Sequence, residues 1–435
     1  MRDARFHAFQ VIQGFYRYNI RLKFFRDQYF KKHSLSRNDL SRTLVLTNEV
    51  VRWQGRLDYW ISLYLDKPIN KLHPSVHNIL RLGYFEALMD KSIPQHAVVH
   101  SWVELAKSEI GVQFGGLVNA VLRKTEKINP TERFEDQSLN AWYSYPKWLF
   151  QKWNKQFGET KANQLCEYFN KPSPNDIRLN GDKGSRLAIV NQLEKEGIEL
   201  VPSPESDRFF RVKTGMVKVL NNNQFKTGLI HAQDCASGAV VELLDPHPGE
   251  NILDVCAAPG TKSGYIVEKM KGDGQVYSSD ISQKRIELGN ESTKALKLII
   301  QWDCKDASKD DFPIADRILV DAPCTGTGVI GRRTDIRWRR EEDDIKSLVE
   351  IQSAILNHMA QFLKQDGILV YATCSIEAEE NWNVVESFLK LNDNFSLESG
   401  KNFIPNNWLN QQDCLETFPP RDRVDGMFAA RLRKK

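Results

Sequence analysis

Cys324 and Cys374 carry the strongest signs of covalent chemistry in this chain. Cys324 stands in Ile318-Leu-Val-Asp-Ala-Pro-Cys-Thr-Gly-Thr-Gly-Val-Ile-Gly331, where a short apolar run stops at Asp321, Pro323 and the glycines. Cys374 ends a second run of this kind, Ile368-Leu-Val-Tyr-Ala-Thr-Cys-Ser375. In an α/β protein the loops at the carboxyl ends of strands face the ligand crevice, so Asp321 and both thiols would be presented to a substrate rather than packed away. Two thiols at two strand ends of one sheet are a candidate catalytic pair, with a thiolate as nucleophile. A thiol of ordinary pKa is only a few per cent ionised at neutral pH, so such a site must favour the thiolate or remove its proton.

Other strand ends supply a candidate ligand pocket. Asp254-Val-Cys-Ala-Ala-Pro-Gly-Thr-Lys262 places a Pro-Gly turn before a helix, exposing backbone N–H groups to a ligand. The spacing is neither GxGxxG nor a P-loop, which favours a nucleoside-type ligand over a dinucleotide or triphosphate. Asp280 ends the next strand, where a carboxylate suits ribose hydroxyls, and Asp306 follows the one after. One such Asp alone is more simply a helix cap. Successive strand ends carrying Asp or Gly turns are harder to dismiss.

The elements that must hold these residues alternate from residue 231 onward. Helices Ser237–Leu244, Lys262–Met270, residues 283–297, Glu342–Leu363 and Glu379–Leu391 separate strands Ile252–Ala257, Gln275–Asp280, Ile299–Trp302, Arg317–Asp321 and Ile368–Ala372. Short apolar strands between helices predict a doubly wound, largely parallel sheet, with Gly426–Arg433 as an edge strand. Residues 131–230 read as a linker and small α+β unit, with strands near Ile177, Phe209 and Val217 and a helix over Ser185–Glu196. Residues 1–130 read as amphipathic helices forming a bundle, broken at Pro68, Pro74, Pro94 and Gly115-Gly116. The pairs His73/His77 and His96/His100 lack a third ligand nearby in sequence and are expected to be ordinary helix residues, so no metal site is expected.

Composition narrows the class. No apolar stretch approaches the roughly 20 residues of a membrane span, and the charged beginning is unlike a signal peptide, so a cytoplasmic chain without membrane contact is expected. The sequence does not give the oligomeric state, and a monomer is favoured. Seven scattered cysteines without a CxxC pair indicate neither a disulfide framework nor a cysteine-rich zinc site. The net charge is +4, yet residues 1–128 hold 20 Lys and Arg against 11 Asp and Glu. Between Arg17 and Arg37 basic residues interleave with Tyr18, Phe24, Phe25 and Tyr29, a pattern suited to phosphates and bases. From charge alone, a solvated helix face with core aromatics is slightly the better account.

Together the motifs resemble a known family. Asp254–Lys262, Asp-Ala-Pro-Cys-Thr-Gly-Thr-Gly and Ala-Thr-Cys-Ser, in this order, resemble the S-adenosylmethionine-dependent RNA cytosine-5 methyltransferases. Arg2, Ala4, Ile93–Ala97, Val103–Lys107 and Val118–Arg123 are similar to the NusB-like RNA-binding domain of the bacterial Sun/Fmu (RsmB) family. Tyr145–Leu149, Arg178–Asn180, Gln233-Asp234 and Asp425–Phe428 extend the resemblance over nearly the whole chain. It implies a NusB-like helical domain, a small α+β region and a Rossmann-like catalytic domain over residues 231–435.

The resemblance also implies that S-adenosylmethionine is held by Cys256, Ala257, Ala258, Pro259, Gly260, Thr261, Lys262, Asp280, Asp306 and Asp321. Cys374 is then the nucleophile toward a cytosine of 16S ribosomal RNA, and Cys324 assists adduct breakdown. Asp321 would meet the base edge, and Lys262 would position Asp321 or the base. Arg332, Arg333, Arg337, Arg339 and Arg340 are expected at RNA phosphates. Thr261 stands where the family usually has Gly, and Thr334 where it usually has Pro. Transfer RNA as substrate, or a catalytically silent RNA-binding assembly factor, are the alternatives.

Overall fold

The computed structural model describes residues 3–90, 93–181, 183–295 and 298–435. Arg2, and the expected helix end at residue 297, lie outside them. The chain forms two compact units: residues 1–171 with 330–341, and residues 172–329 with 342–435.

The first unit is helical. Helices Ala4–Tyr18, Leu22–Lys32, Arg37–Ser62, Pro74–Leu88, Gln95–Glu109 and Gly115–Leu122 enclose Phe9, Trp60, Leu80, Tyr84 and Trp102. The breaks follow local chemistry. Asp3 caps the first helix by accepting from the Arg5 and Phe6 N–H groups, and Pro74 opens its helix where a missing N–H costs nothing. Glu86, fully buried, accepts from Trp102 Nε1 and Arg5 Nε, so the core acid is paired on several sides. His77 contacts Asp58 at 2.7 Å, an ordinary helix-surface partner. Of the interleaved aromatics, Phe25 and Tyr29 pack against the core, whereas Tyr18 and Phe24 are exposed.

The second unit holds two sheets. Strands β1 (Asn175–Leu179), β2 (Glu199–Ser203), β3 (Ser206–Thr214) and β4 (Ile230–Ala232) form an antiparallel sheet in the order β2-β3-β1-β4. Val217, expected in a strand, lies instead in the helix Met216–Asn221. Gly215, at φ 90°, ends β3 and starts that helix.

The large sheet comprises β5 (Asn251–Val255), β6 (Gln275–Asp280), β7 (Gln301–Cys304), β8 (Ala315–Asp321), β9 (Leu363–Thr373), β10 (Phe395–Glu398), β11 (Leu415–Glu416) and β12 (Phe428–Lys434), in the order β10-β12-β9-β8-β5-β6-β7, with β11 on β12. Strands β5 to β9 are parallel, so their carboxyl ends lie along one edge. β12 is not the expected edge strand. It pairs antiparallel with both β9 and β10, and its first five residues are buried, because Phe428, Ala429, Ala430 and Leu432 are apolar toward both faces of the sheet. No helix among the described residues is long and apolar enough to cross a membrane.

Candidate active site

The connectivity fixes where a ligand crevice opens. The chain runs from β5 outward through β6 to β7, then returns to β8 on the other side of β5 and continues to β9. The strand order therefore reverses between β5 and β8, and the crevice of an open α/β sheet opens at that point. The motif Asp254–Lys262 leaves β5 there, and Asp321 ends β8 beside it, with Val255 paired to Val320.

The turn after β5 is shaped by its backbone. Cys256 adopts φ 62°, the Ala258–Pro259 bond is cis, and Gly260 sits at φ 93°. A Cβ on Gly260 would come within 2.8 Å of Trp302 Cζ2, so only glycine permits this approach. Gly260 is the cap of the helix Thr261–Lys269, and no side chain closes that end. Its N–H groups and dipole therefore suit a carboxylate. Burial pushes the Cys256 thiol up, as befits a wall of the pocket rather than a nucleophile.

Three carboxyl groups serve this edge differently. Asp254 is buried; its Oδ2 accepts from Ser263 Oγ at 2.6 Å, while Oδ1 is buried without a hydrogen-bond partner among the described residues. Burial, against the hydrogen bond from Ser263, pushes this carboxyl up to about 7. Asp280 lies at the end of β6 and contacts Arg285 Nη1 at 2.9 Å. Arg285 also donates to the Ala258 carbonyl, tying the β6 end to the turn after β5. The Asp-x-x-x-x-Arg spacing was the one sequence trace of this tie, and sequence reasoning missed it. Ile281, next in the chain, is 70 % exposed and offers an apolar surface at the same edge. Asp306 accepts from the Ser308 N–H and hydroxyl, which hold its carboxyl below the usual range. It folds its own turn beyond β7.

On the other side of the crevice, Lys262 Nζ lies 2.8 Å from Asp321 Oδ2. Burial disfavours the ammonium, but the adjacent Asp321 carboxylate more than offsets this and holds Lys262 above its ordinary range. Parallel pairing sets Asp321 opposite Ala372 and so brings the ends of β8 and β9 together. As a result Cys324 Sγ and Cys374 Sγ are 3.3 Å apart. The Cys374 contact and burial both raise Cys324, so its thiol keeps its proton. The four catalytic candidates, Lys262, Asp321, Cys324 and Cys374, are thus linked by direct contacts or by adjacent strand ends.

Three domain-family models match this chain. The model described as 16S rRNA methyltransferase RsmB/F matches residues 241–433. The NusB family model matches residues 2–127, and a ferredoxin-like domain of RsmF/B-like methyltransferases matches residues 145–218. A Synechocystis protein called probable ribosomal RNA small subunit methyltransferase B is 31 % identical, with 100 % of each chain covered. The chain belongs to the RsmB/F family of 16S rRNA methyltransferases. Ribosomal RNA small subunit methyltransferase B of Photorhabdus laumondii is 34 % identical over 89 % of this chain and 88 % of its own. The solved structure of PH0851 superposes with a TM-score of 0.83 at 26 % identity, covering 99 % of this chain and 98 % of that one.

Within this family framework the arginines after the cysteine loop divide. Residues 330–341 belong to the helical unit. Arg337, expected at RNA phosphates, is fully buried there and donates to the Arg52 and Ser144 carbonyls and to Asn170 Oδ1, with its guanidinium over the Tyr145 ring. A guanidinium engaged by three acceptors in a core fixes structure and does not reach a phosphate. Arg339 pairs with Asp335 and is partly exposed, as is Arg340, while Arg332 and Arg333 are exposed. Thr334, the position of the usual proline, is buried in the same segment.

Proposed function

We propose that this methyltransferase transfers a methyl group from S-adenosylmethionine to carbon 5 of a cytosine in small-subunit ribosomal RNA, through a covalent bond between Cys374 and carbon 6. The observation that carries this reading is the cysteine pair, two thiols 3.3 Å apart at adjacent strand ends with the Lys262–Asp321 ion pair beside them. Relatives named for small-subunit ribosomal RNA support the substrate.

The pocket fits the cofactor. The uncapped helix end at Thr261 would take its carboxylate, Asp254 Oδ1 lacks a partner that an ammonium would supply, Asp280 would receive ribose hydroxyls as half-exposed Arg285 swings aside, and Ile281 would cover the adenine. Cys256, Ala257, Ala258 and Pro259 would form the floor, with Asp306 beyond the adenine. When bound, the cofactor supplies a methyl group on a sulfonium, an electrophile.

Carbon 5 of cytosine is a weak nucleophile, and the chain's residues make it a stronger one. After giving up its proton to solvent, Cys374 would add as a thiolate to carbon 6, and the carbon 5–carbon 6 π pair would move onto carbon 5. Carbon 5 would thereby become nucleophilic toward the methyl group that the cofactor would supply, with S-adenosylhomocysteine as leaving group. Asp321, oriented by Lys262, would accept from the amino group of the cytosine, and in its protonated form would donate to ring nitrogen 3 and oppose the negative charge there. Loss of the carbon 5 proton to solvent would leave its bonding pair to re-form the carbon 5–carbon 6 double bond, as the carbon–sulfur bond breaks and its pair returns to Cys374. Cys324, a protonated thiol 3.3 Å away, stabilises that departing sulfur by hydrogen bonding. Arg332, Arg333, Arg339 and Arg340 would neutralise phosphates of the substrate. A paired target base would have to be turned out of its stack.

The test is incubation of the full-length protein with S-adenosylmethionine and purified 16S ribosomal RNA or transfer RNA, followed by nucleoside mass spectrometry. 5-Methylcytosine in the ribosomal RNA alone is the expected outcome. Product only in transfer RNA would change the substrate, and no product in either would overturn the reading.

A further inference from the structure

Glu380, in the turn after Cys374, is fully buried between the two cysteine loops, and the proposed chemistry gives it no part. Its Oε1 accepts from the Thr325 N–H at 2.8 Å and from Gln352 Nε2 at 3.0 Å. Its Oε2 accepts from the hydroxyls of Thr325 and Ser375. Four donors match the four lone-pair sites of an ionised carboxylate.

The placement of those donors gives the carboxylate its leverage. Thr325 directly follows Cys324 and Ser375 directly follows Cys374, so one side chain grips the residue after each cysteine. Gln352 also donates to the Pro323 carbonyl, just before Cys324, and the Tyr371 hydroxyl donates to the Glu380 carbonyl from the end of β9. The hydroxyl chain continues from Ser375 to Thr327 Oγ1, which in turn accepts from the Ile376 N–H.

Charge is distributed unevenly across the pair. Cys324 lies 3.3 Å from Cys374, and the Glu380 carboxylate accepts at 2.8 Å from the N–H of Thr325, the residue next to Cys324, while Lys262 is paired with Asp321 at 2.8 Å and has Cys374 in its field. A buried anion disfavours a second anion beside it, and a cation favours one.

We propose that Glu380 is the positioning residue of the cysteine pair: it holds both loops in register and, as a buried anion beside Cys324, assigns the nucleophile's part to Cys374. This rests on the covalent cysteine reaction proposed above. Glu380 itself touches no substrate and acts through the two loops.

The experiment compares the full-length wild type with Glu380→Gln, Glu380→Ala and Thr325→Val. Iodoacetamide labelling across pH, read by peptide mass spectrometry at each cysteine, is paired with kcat and KM for methylation of 16S ribosomal RNA. Glu380→Gln keeps the shape and loses the charge, so labelling of Cys324 moves to lower pH. Misplacement of the reacting thiol lowers kcat on the order of 10²-fold with KM for RNA unchanged. Thr325→Val keeps the charge and loosens one loop, lowering kcat without moving the labelling profile. A Cys324 profile in Glu380→Gln that overlays the wild type overturns the proposal, and should Glu380→Ala fail to fold, Glu380→Gln still decides. Labelling needs no RNA, so a wild type that methylates nothing overturns the cytosine reading separately.

Discussion

Cys324 and Cys374 are 50 residues apart in the chain and 3.3 Å apart at their sulfur atoms. Parallel pairing of β8 with β9 creates this contact, and the Cys374 contact together with burial pushes the Cys324 thiol up. Cys374→Ala should lower kcat by about 10⁴-fold or more, as loss of a nucleophile does. Cys324→Ala should instead retain attack and slow release, trapping a protein–RNA adduct visible by intact-mass spectrometry and denaturing gels. If the two variants exchange these phenotypes, the roles of the cysteines are reversed.

The arginines after the cysteine loop should separate by burial. Arg337→Ala strands three buried acceptors, so it should destabilise the helical unit by about 3 kcal/mol or more, measured by urea unfolding. Arg332→Ala and Arg333→Ala should leave stability within about 0.5 kcal/mol. Each should weaken RNA binding and reduce its log–log salt slope by about 1, measured by filter binding at several salt concentrations. An unchanged slope would remove that arginine from the RNA surface.

Gly260→Ala should disturb the cofactor turn. The residue sits at φ 93° with Trp302 Cζ2 only 2.8 Å from the new methyl group. A loss of about 1 kcal/mol or more is expected from the backbone conformation and contact together. Thermal unfolding and calorimetric titration with S-adenosylmethionine should both respond, whereas a variant that binds and melts like the wild type would show that the turn tolerates a side chain.

Asp254 should impose a pH dependence on folding. Its carboxyl titrates at about 7 in the folded chain, against about 3.9 when unfolded. Between these values the native state keeps a proton that the unfolded state has lost, so stability falls as pH rises. The contribution is complete below about pH 4 and lost on passing about pH 7, by at most about 4 kcal/mol. Asp254→Asn should flatten this decline without cofactor, measured by hydrogen exchange of β5 amides at about pH 5 and about pH 8. Equal slopes in variant and wild type would contradict it.

The local sequence carried much of the site. Strand-ending motifs named Asp321, Cys324, Cys374 and the Pro259-Gly260 turn, because an apolar run stopped by Asp, Pro and Gly reads as a strand end without knowledge of its neighbours. It said less about partners. Arg285, Gln352 and Glu380 look like ordinary polar helix or turn residues in sequence, and only their contacts with Ala258, Pro323 and Thr325 give them a role. Asp306 has the right place in the chain, yet its carboxylate folds its own turn.

The sequence by itself determined the helical first unit, the alternating α/β second unit and the residue types that could react, since periodicity, breakers and thiol chemistry are local properties. Strand order was decided by the tertiary structure. It inserted β12 between β9 and β10, where apolar residues on both of its faces are covered, and it buried Arg337 among carbonyl groups from distant segments. It also set the cysteine spacing and surrounded Glu380 with four donors, because burial and distance depend on which segments meet.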